Sequence, residues 1–193
     1  MSMDLDVRQK TALLSYLTLL GKWNKTYNLT AIHEPERMLT HHILDSLAIT
    51  PHVVSGTLLD VGSGGGFPGI PLAIVRPDLA VSVMDSSQKK CGFMQQVVIE
   101  LKLAQVAVLN SRVESYPAAQ KFDQIVSRAF SDLSEFVRLS AHLLAPRGYW
   151  LAMKGVHPTE ELSRLKQARV VRDLPLQVPG LNAERSLIIM EPV

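Results

Sequence analysis

The sequence predicts an α/β fold built on a mostly parallel, seven-stranded sheet that ends in an antiparallel hairpin. Three observations carry this expectation. Residues 57–71, TLLDVGSGGGFPGIP, pass from a short apolar strand into a glycine loop and then into an apolar run, 70–75, that is stopped by Pro77. That order is the first strand–turn–helix step of an open α/β sheet. From residue 57 onward, strand-like and helix-like patterns alternate. Finally, the last two strand-like runs, 170–178 and 185–191, are joined only through Pro179-Gly180-Leu181-Asn182. So short a connection demands a hairpin, and one of the two must run against the sheet.

Ahead of the sheet, Leu13, Tyr16, Leu17, Leu20 and Trp23 recur at helical spacing and predict an amphipathic helix over 5–23. The polar stretch Asn24-Lys25-Thr26-Tyr27-Asn28 reads as a turn. A second helix is expected over 34–49, with Pro35 in its first turn. Residues 1–52 are thus an N-terminal helical extension that forms one compact unit with the domain over 53–193. Within the domain, 79–84 is a strand ending at Asp85, and 88–103 a helix. Residues 105–109 form the third strand, and 122–126 the fourth, ending at Ser127-Arg128. A helix over 132–144, capped by Asp132, closes at Pro146-Arg147-Gly148, and 149–153 is a strand ending at Lys154-Gly155. No internal repeat or low-complexity tract interrupts this order.

At 193 residues, 47% apolar and 20% charged, the chain has material for one globular domain and its core. A net charge of +2 supplies no global basic field, so a nucleic-acid partner would have to meet a local patch. The single cysteine, Cys91, excludes a disulfide framework and a multi-cysteine zinc site, and fits a reducing compartment. No apolar run approaches the roughly 20 residues of a membrane span. Asp4, Asp6 and Arg8 at the start do not make a signal region. A cytoplasmic protein with no membrane association is expected.

The glycine loop narrows the ligand. Counted from Gly62, the dinucleotide pattern G-x-G-x-x-G fails, because Phe67 stands where the third glycine belongs. Counted from Gly64 it is met, but Gly62 is then unexplained and Pro68 falls inside the turn. Acidic-x-Gly-x-Gly-x-Gly, from Asp60 to Gly66, fits better and resembles the S-adenosylmethionine (SAM) loop of Rossmann-like methyltransferases. A nicotinamide dehydrogenase remains the alternative, as does a tight turn with no ligand. Glycines let the backbone approach a ligand closely, and the N–H groups at the helix start are expected to favour a negative group.

Ligands of open α/β sheets lie outside the carboxyl ends of the strands, which brings Gly62, Ser63 and Gly64 to the site. Asp85, 23 residues after Gly62, stands where an acid hydrogen-bonds both ribose hydroxyls, or else caps the helix that follows. Val113-Glu114 follow the third strand, where backbone groups could read an adenine edge; alternatively Glu114 is a solvated loop acid. Arg128, after the fourth strand, would meet cofactor or an RNA phosphate, or else form a structural ion pair. His41 and Asp45 stand at i, i+4 beside His42, as a surface pair or a substrate contact. No third ligand has metal spacing, so no metal is expected. Lys22, Lys25, Arg37, Arg112, Arg128, Arg138, Arg147 and Lys154, with Trp23, Tyr27 and Phe67 as stacking platforms, would suit a structured RNA; singly, each cation reads as a solvated charge.

The reaction class follows from what is missing. Exocyclic amine methylation calls for Asn/Asp-Pro-Pro-aromatic after the fourth strand, where this chain has Ser127-Arg128-Ala129-Phe130. Pyrimidine C5 methylation needs a cysteine nucleophile, but Cys91 lies within the helix after Asp85, as a core residue. An acceptor with its own lone pair, such as guanine N7, needs neither device, and placement alone can accelerate transfer to it greatly.

The runs LGKWNKTYNLTAI (20–32), HHILDSL (41–47), LLDVGSGGGFPGIPLAIVRPD (58–78), SRVESY (111–116), VSRAF (126–130) and LAMKG (151–155) closely resemble the bacterial RsmG (GidB) family, in order and over nearly the whole chain. The resemblance implies a Rossmann-like, SAM-dependent methyltransferase acting on N7 of a guanine in the 16S rRNA of the small ribosomal subunit. It implies Gly62, Phe67, Val113, Glu114 and Arg128 as SAM-binding positions, beside Ser63, Gly64 and Asp85 from the arguments above. Asn28, His42 and Lys154 are expected on the RNA side, Arg128 and Lys154 at the catalytic centre, and a monomer as the working form. Family members often carry a longer lead before the first helix, and the shorter one here would bear on the RNA-facing extension. A small-molecule methyltransferase and a non-catalytic RNA-binding module are the rival readings.

Overall fold

Helix α1 (Val7–Tyr27) begins at a capping box, in which Asp6 accepts from the N–H of Gln9 and the Gln9 side chain accepts from the N–H of Asp6. Leu13, Tyr16, Leu20 and Asn24, spaced by three and four, make its buried face. Tyr16 and Leu20 are fully buried in the same core as Val83 and Phe93; burying each such side chain is worth about 1.5–3 kcal/mol. In this computed structural model, which describes residues 4–193 apart from 118, 129 and 131, the N-terminal segment and the sheet therefore share one core.

The expected turn at 24–28 is instead helix through Tyr27, and Asn28, at φ 50°, is its left-handed cap. Asn24 explains the difference. Its side chain points into the core and replaces backbone partners of the loop that follows, accepting from Thr30 N–H at 2.9 Å and donating to the Ile32 carbonyl at 3.2 Å. The second expected helix is three consecutive pieces: α2 (Pro35–Met38), a π-helical turn (Leu39–Leu44) and α3 (Asp45–Leu47). A 3₁₀ turn, Thr50–His52, leads to the sheet.

The strands are β1 (Gly56–Val61), β2 (Leu79–Asp85), β3 (Val106–Asn110), β4 (Phe122–Ser127), β5 (Leu144–Lys154), β6 (Ala168–Pro175) and β7 (Ser186–Pro192), in the order β3-β2-β1-β4-β5-β7-β6. All neighbouring pairs from β3 to β5 are parallel, and β7 alone runs against the sheet, between β5 and β6. Helices α4 (Gly69–Val75) and α5 (Gln88–Glu100) pack with α1 on one face, and α6 (Leu133–Ser140) covers the other. Asp132 caps α6 as expected, accepting from Glu135 N–H. The helix ends earlier than expected, at Ser140, and β5 already begins at Leu144. Phe122 pairs with Leu144 and Gln124 with Tyr149, so residues 145–148 bulge out of the ladder, with Arg147 at φ 66°. Helix α7 (Thr159–Arg164) has no counterpart in the sequence reading, because it is short and buries none of its residues. The order reverses between β1 and β4, which opens a crevice at their carboxyl ends.

Candidate active site

Strand β1 delivers Asp60 and then the glycine loop. Gly64 sits at φ 63°, a conformation that side chains disfavour, and a Cβ on Gly66 would stand 2.5 Å from Ile70 Cδ1. Asp60 is fully buried beneath the loop, and its Oδ2 accepts from Ser63 Oγ at 2.5 Å and from Gly69 N–H at 2.8 Å. The start of α4 is therefore served from within the protein, and the expected external anion there is replaced by the Asp60 carboxylate. Burial pushes the Asp60 carboxyl up from 3.8 to about 6, against the pull of the Ser63 and Gly69 hydrogen bonds. Tyr16 closes the loop from the other side: its hydroxyl donates to the Gly65 carbonyl, and its ring stacks on Phe67 at 5.2 Å.

Asp85 ties the loop to the end of β2. Its Oδ2 accepts from Gly64 N–H at 3.0 Å and its Oδ1 from Ser87 N–H at 2.9 Å, with Lys90 Nζ 3.7 Å away. The N-cap of α5 is Ser87, not Asp85. Val113 opens the 3₁₀ turn after β3 with its side chain in the core, whereas Glu114 is exposed and 3.8 Å from Arg112, and neither lines the clefts described next. Cys91 is a core residue as expected, its Sγ donating to the Asp85 carbonyl at 3.2 Å.

Two clefts meet over these strand ends. One, of about 210 Å³, is floored by Gly62, Ser63, Gly64 and Gly65 and walled by Leu29, Thr30 and Phe67. The other, of about 290 Å³, is lined by Ile32, His41, Asp45, Met153, Lys154, Gly155 and Arg185. His42 and Arg128 line both. His42 is stacked on Phe67 at 4.7 Å, and its Nε2 lies 2.9 Å from Thr30 Oγ1. Desolvation, helped by the Arg128 charge, pushes it down from 6.5 to about 4, so it is neutral at neutral pH. Phe67 stacks on both Tyr16 and His42 and is buried, which corrects its reading as a stacking platform for RNA.

Arg128 lies over Phe67, 5.5 Å from the ring centre, and its Nη1 donates to the His41 carbonyl and to Asp45 Oδ2, each at 3.0 Å. Asp45 Oδ1 accepts from Arg185 Nε at 2.7 Å. The suggested His41–Asp45 pair is thus replaced by a buried carboxylate between two arginines. Lys154 Nζ donates to Glu161 Oε2 at 2.8 Å and to the Phe130 carbonyl at 3.1 Å. Asn28 lines neither cleft and is exposed at the end of α1. Arg185, Thr30 and Glu161 were not singled out in the sequence. The sequence shows Arg185 only as the first residue of the last strand, and it lies just ahead of β7.

These residues fit SAM. The floor of the smaller cleft is bare backbone, with no atom closer than 4.0 Å to a Cβ position at Gly64, and the Asp85 carboxylate waits at the next strand end, where a ribose diol would fall. Among the described residues no cluster of three His, Cys, Asp or Glu could hold a metal, and no helix is long and apolar enough to cross a membrane.

Comparison with known proteins agrees with this geometry. The family described as "GidB: rRNA small subunit methyltransferase G" matches residues 9–188. A ribosomal RNA small subunit methyltransferase G from Chromobacterium violaceum is 56% identical over 98% of this chain and 92% of its own length. Its counterpart from Laribacter hongkongensis is 51% identical, over 97% and 91%. Among solved structures, a SAM-dependent methyltransferase from Geobacter sulfurreducens in complex with S-adenosyl-L-homocysteine superposes with a TM-score of 0.60, at 16% identity, over 91% of this chain and 98% of that one, a likeness of fold. The chain belongs to the rRNA small subunit methyltransferase G family.

Proposed function

We propose that this protein transfers a methyl group from SAM to N7 of a guanine in 16S ribosomal RNA, in the cytoplasm and as a single chain. The observation that carries the reading is the pair of joined clefts: a bare glycine floor tied to Asp85, opening past His42 and Arg128 into a second, cation-lined space. Gly62, Ser63, Gly64 and Phe67 shape the SAM side, Asp85 takes the ribose, and the backbone at Val113 and Glu114 faces the adenine. SAM, when bound, supplies an electrophilic methyl on its sulfonium. Guanine N7 carries its own lone pair, so no residue has to remove a proton before attack.

The work left to this chain is placement and exclusion of water. Arg128, fixed by Asp45 and the His41 carbonyl, marks the boundary between the two clefts and belongs to both ligands. Lys154, held by Glu161 and the Phe130 carbonyl, forms the far wall and contacts the RNA. Neutral His42 offers the RNA side a ring edge, and exposed Asn28 extends that side beyond the clefts. The 1–52 extension is part of the site, since it supplies Thr30, His42 and Asp45. Labelled SAM with small-subunit RNA lacking the modification, followed by mapping of the modified base, tests the reading; label at another position, or none, refutes it.

A further inference from the structure

The second cleft holds more positive charge than it cancels. Of the residues lining it, Arg128, Arg185 and Lys154 are cationic and Asp45 alone is acidic. Lys154 is matched by Glu161 at 2.8 Å. Asp45, only 1% exposed, is shared by two guanidiniums that are 28% and 22% exposed, so among the described residues one positive charge of the lining has no carboxylate of its own. Arginine stays charged in proteins, and a half-buried, unmatched cation is costly until an anion joins it.

The geometry also says which arginine is available. Arg185 spends Nε on Asp45 and Nη1 on the Glu184 carbonyl, and among the described residues its Nη2 makes no hydrogen bond. The usual arginine contact to guanine is a fork onto O6 and N7. Such a fork would occupy the N7 lone pair that the transfer requires, which leaves the RNA backbone as its acceptor. We propose that Arg185, held against Arg128 through the shared carboxylate of Asp45, grips a phosphodiester of the RNA strand entering the second cleft, with Asp45 as the positioning residue. The inference rests on RNA being the substrate, and it adds a contact that neither the fold nor the SAM site requires.

Arg185→Gln tests it, through equilibrium binding of a 16S RNA transcript over a range of potassium chloride concentrations. Affinity is expected to fall severalfold at low salt. The slope of log affinity against log salt should shrink by about 0.7–0.9, the signature of one lost phosphate contact. SAM affinity by calorimetry should be unchanged, which also reports that the variant is folded. Arg185→Lys keeps the charge and should keep the slope. An unchanged slope in Arg185→Gln, or a reduced one in Arg185→Lys, overturns the proposal, and Arg185→Met repeats the loss of charge with the same expected slope should the glutamine variant fail to fold. A wild-type protein that binds RNA with this salt signature but modifies no N7 would sink the reaction and spare the contact.

Discussion

Asp60→Asn isolates a charge that the fold keeps beneath the glycine loop. The wild-type carboxyl is lifted from 3.8 to about 6 by burial. At about 1.4 kcal/mol for each tenfold change in proton affinity, ionising it in the folded protein costs about 3 kcal/mol relative to the unfolded chain. Between these two values the folded state binds more proton than the unfolded one, so this group's contribution falls as pH rises. His42 does the opposite. Its imidazole is pushed from 6.5 down to about 4, so the unfolded chain binds more proton across that window and stability rises with pH, again by about 3 kcal/mol. The two dependences run in opposite directions over overlapping pH windows, so the wild-type curve alone does not separate them. Asparagine keeps an acceptor for Ser63 or Gly69 and removes the titration. Urea unfolding of variant and wild type from pH 4 to pH 7 should show the variant's relative stability climbing by about 3 kcal/mol. Any fixed loss from the altered hydrogen bonds shifts that difference curve without bending it. His42→Gln should give a curve of opposite slope. A flat difference for Asp60→Asn would mean that the buried carboxyl titrates as it does in the unfolded chain, and the argument from burial would be wrong.

Other perturbations separate the parts of the site. Asp85→Ala removes the carboxylate proposed to hold the ribose, along with its bonds to Gly64 and Ser87; SAM affinity by calorimetry should drop about tenfold to a hundredfold, the range for hydrogen bonds to a charged group. Gly69→Ala drives a Cβ to 2.6 Å from Val83 Cγ1 and 3.0 Å from Asp60 Oδ2, and should lower stability by about 1–3 kcal/mol in urea. Lys154→Ala should leave SAM affinity intact and slow RNA methylation; an equal methylation rate would remove Lys154 from the acceptor side.

The sheet was legible in the sequence because its signals are local: apolar runs of strand length, punctuated by glycine, proline and the acids at strand ends. The glycine loop and Asp85 were legible for the same reason, as spacing along one segment. What stayed hidden depends on partners that no local periodicity reports, some of them far apart in the chain. Asn24 looks like a turn residue until Thr30 and Ile32 fold back onto it. Asp45 looks like a partner for His41, four residues away, until Arg128 and Arg185 arrive from β4 and the start of β7, and no periodicity reports a contact 140 residues apart. The anion expected at the head of α4 was misplaced because the acid that fills that role comes from the preceding strand.

The same long-range contacts explain why a SAM fold of this kind carries a helical segment ahead of its first strand. Strands β1 and β2 with their loops supply the glycine floor and Asp85, braced by Tyr16 of α1 at the Gly65 carbonyl. They do not build the second cleft. Without residues 28–45, Arg128 and Arg185 would face each other with no carboxylate between them, and Phe67 would lose His42 from one face. Two guanidiniums that share one carboxylate repel each other once it is removed, so Asp45 holds together the end of β4 and the start of β7. Asp45 therefore fastens Arg128, which lines both clefts, to Arg185 in the second, and it is the N-terminal segment that supplies this joining carboxylate.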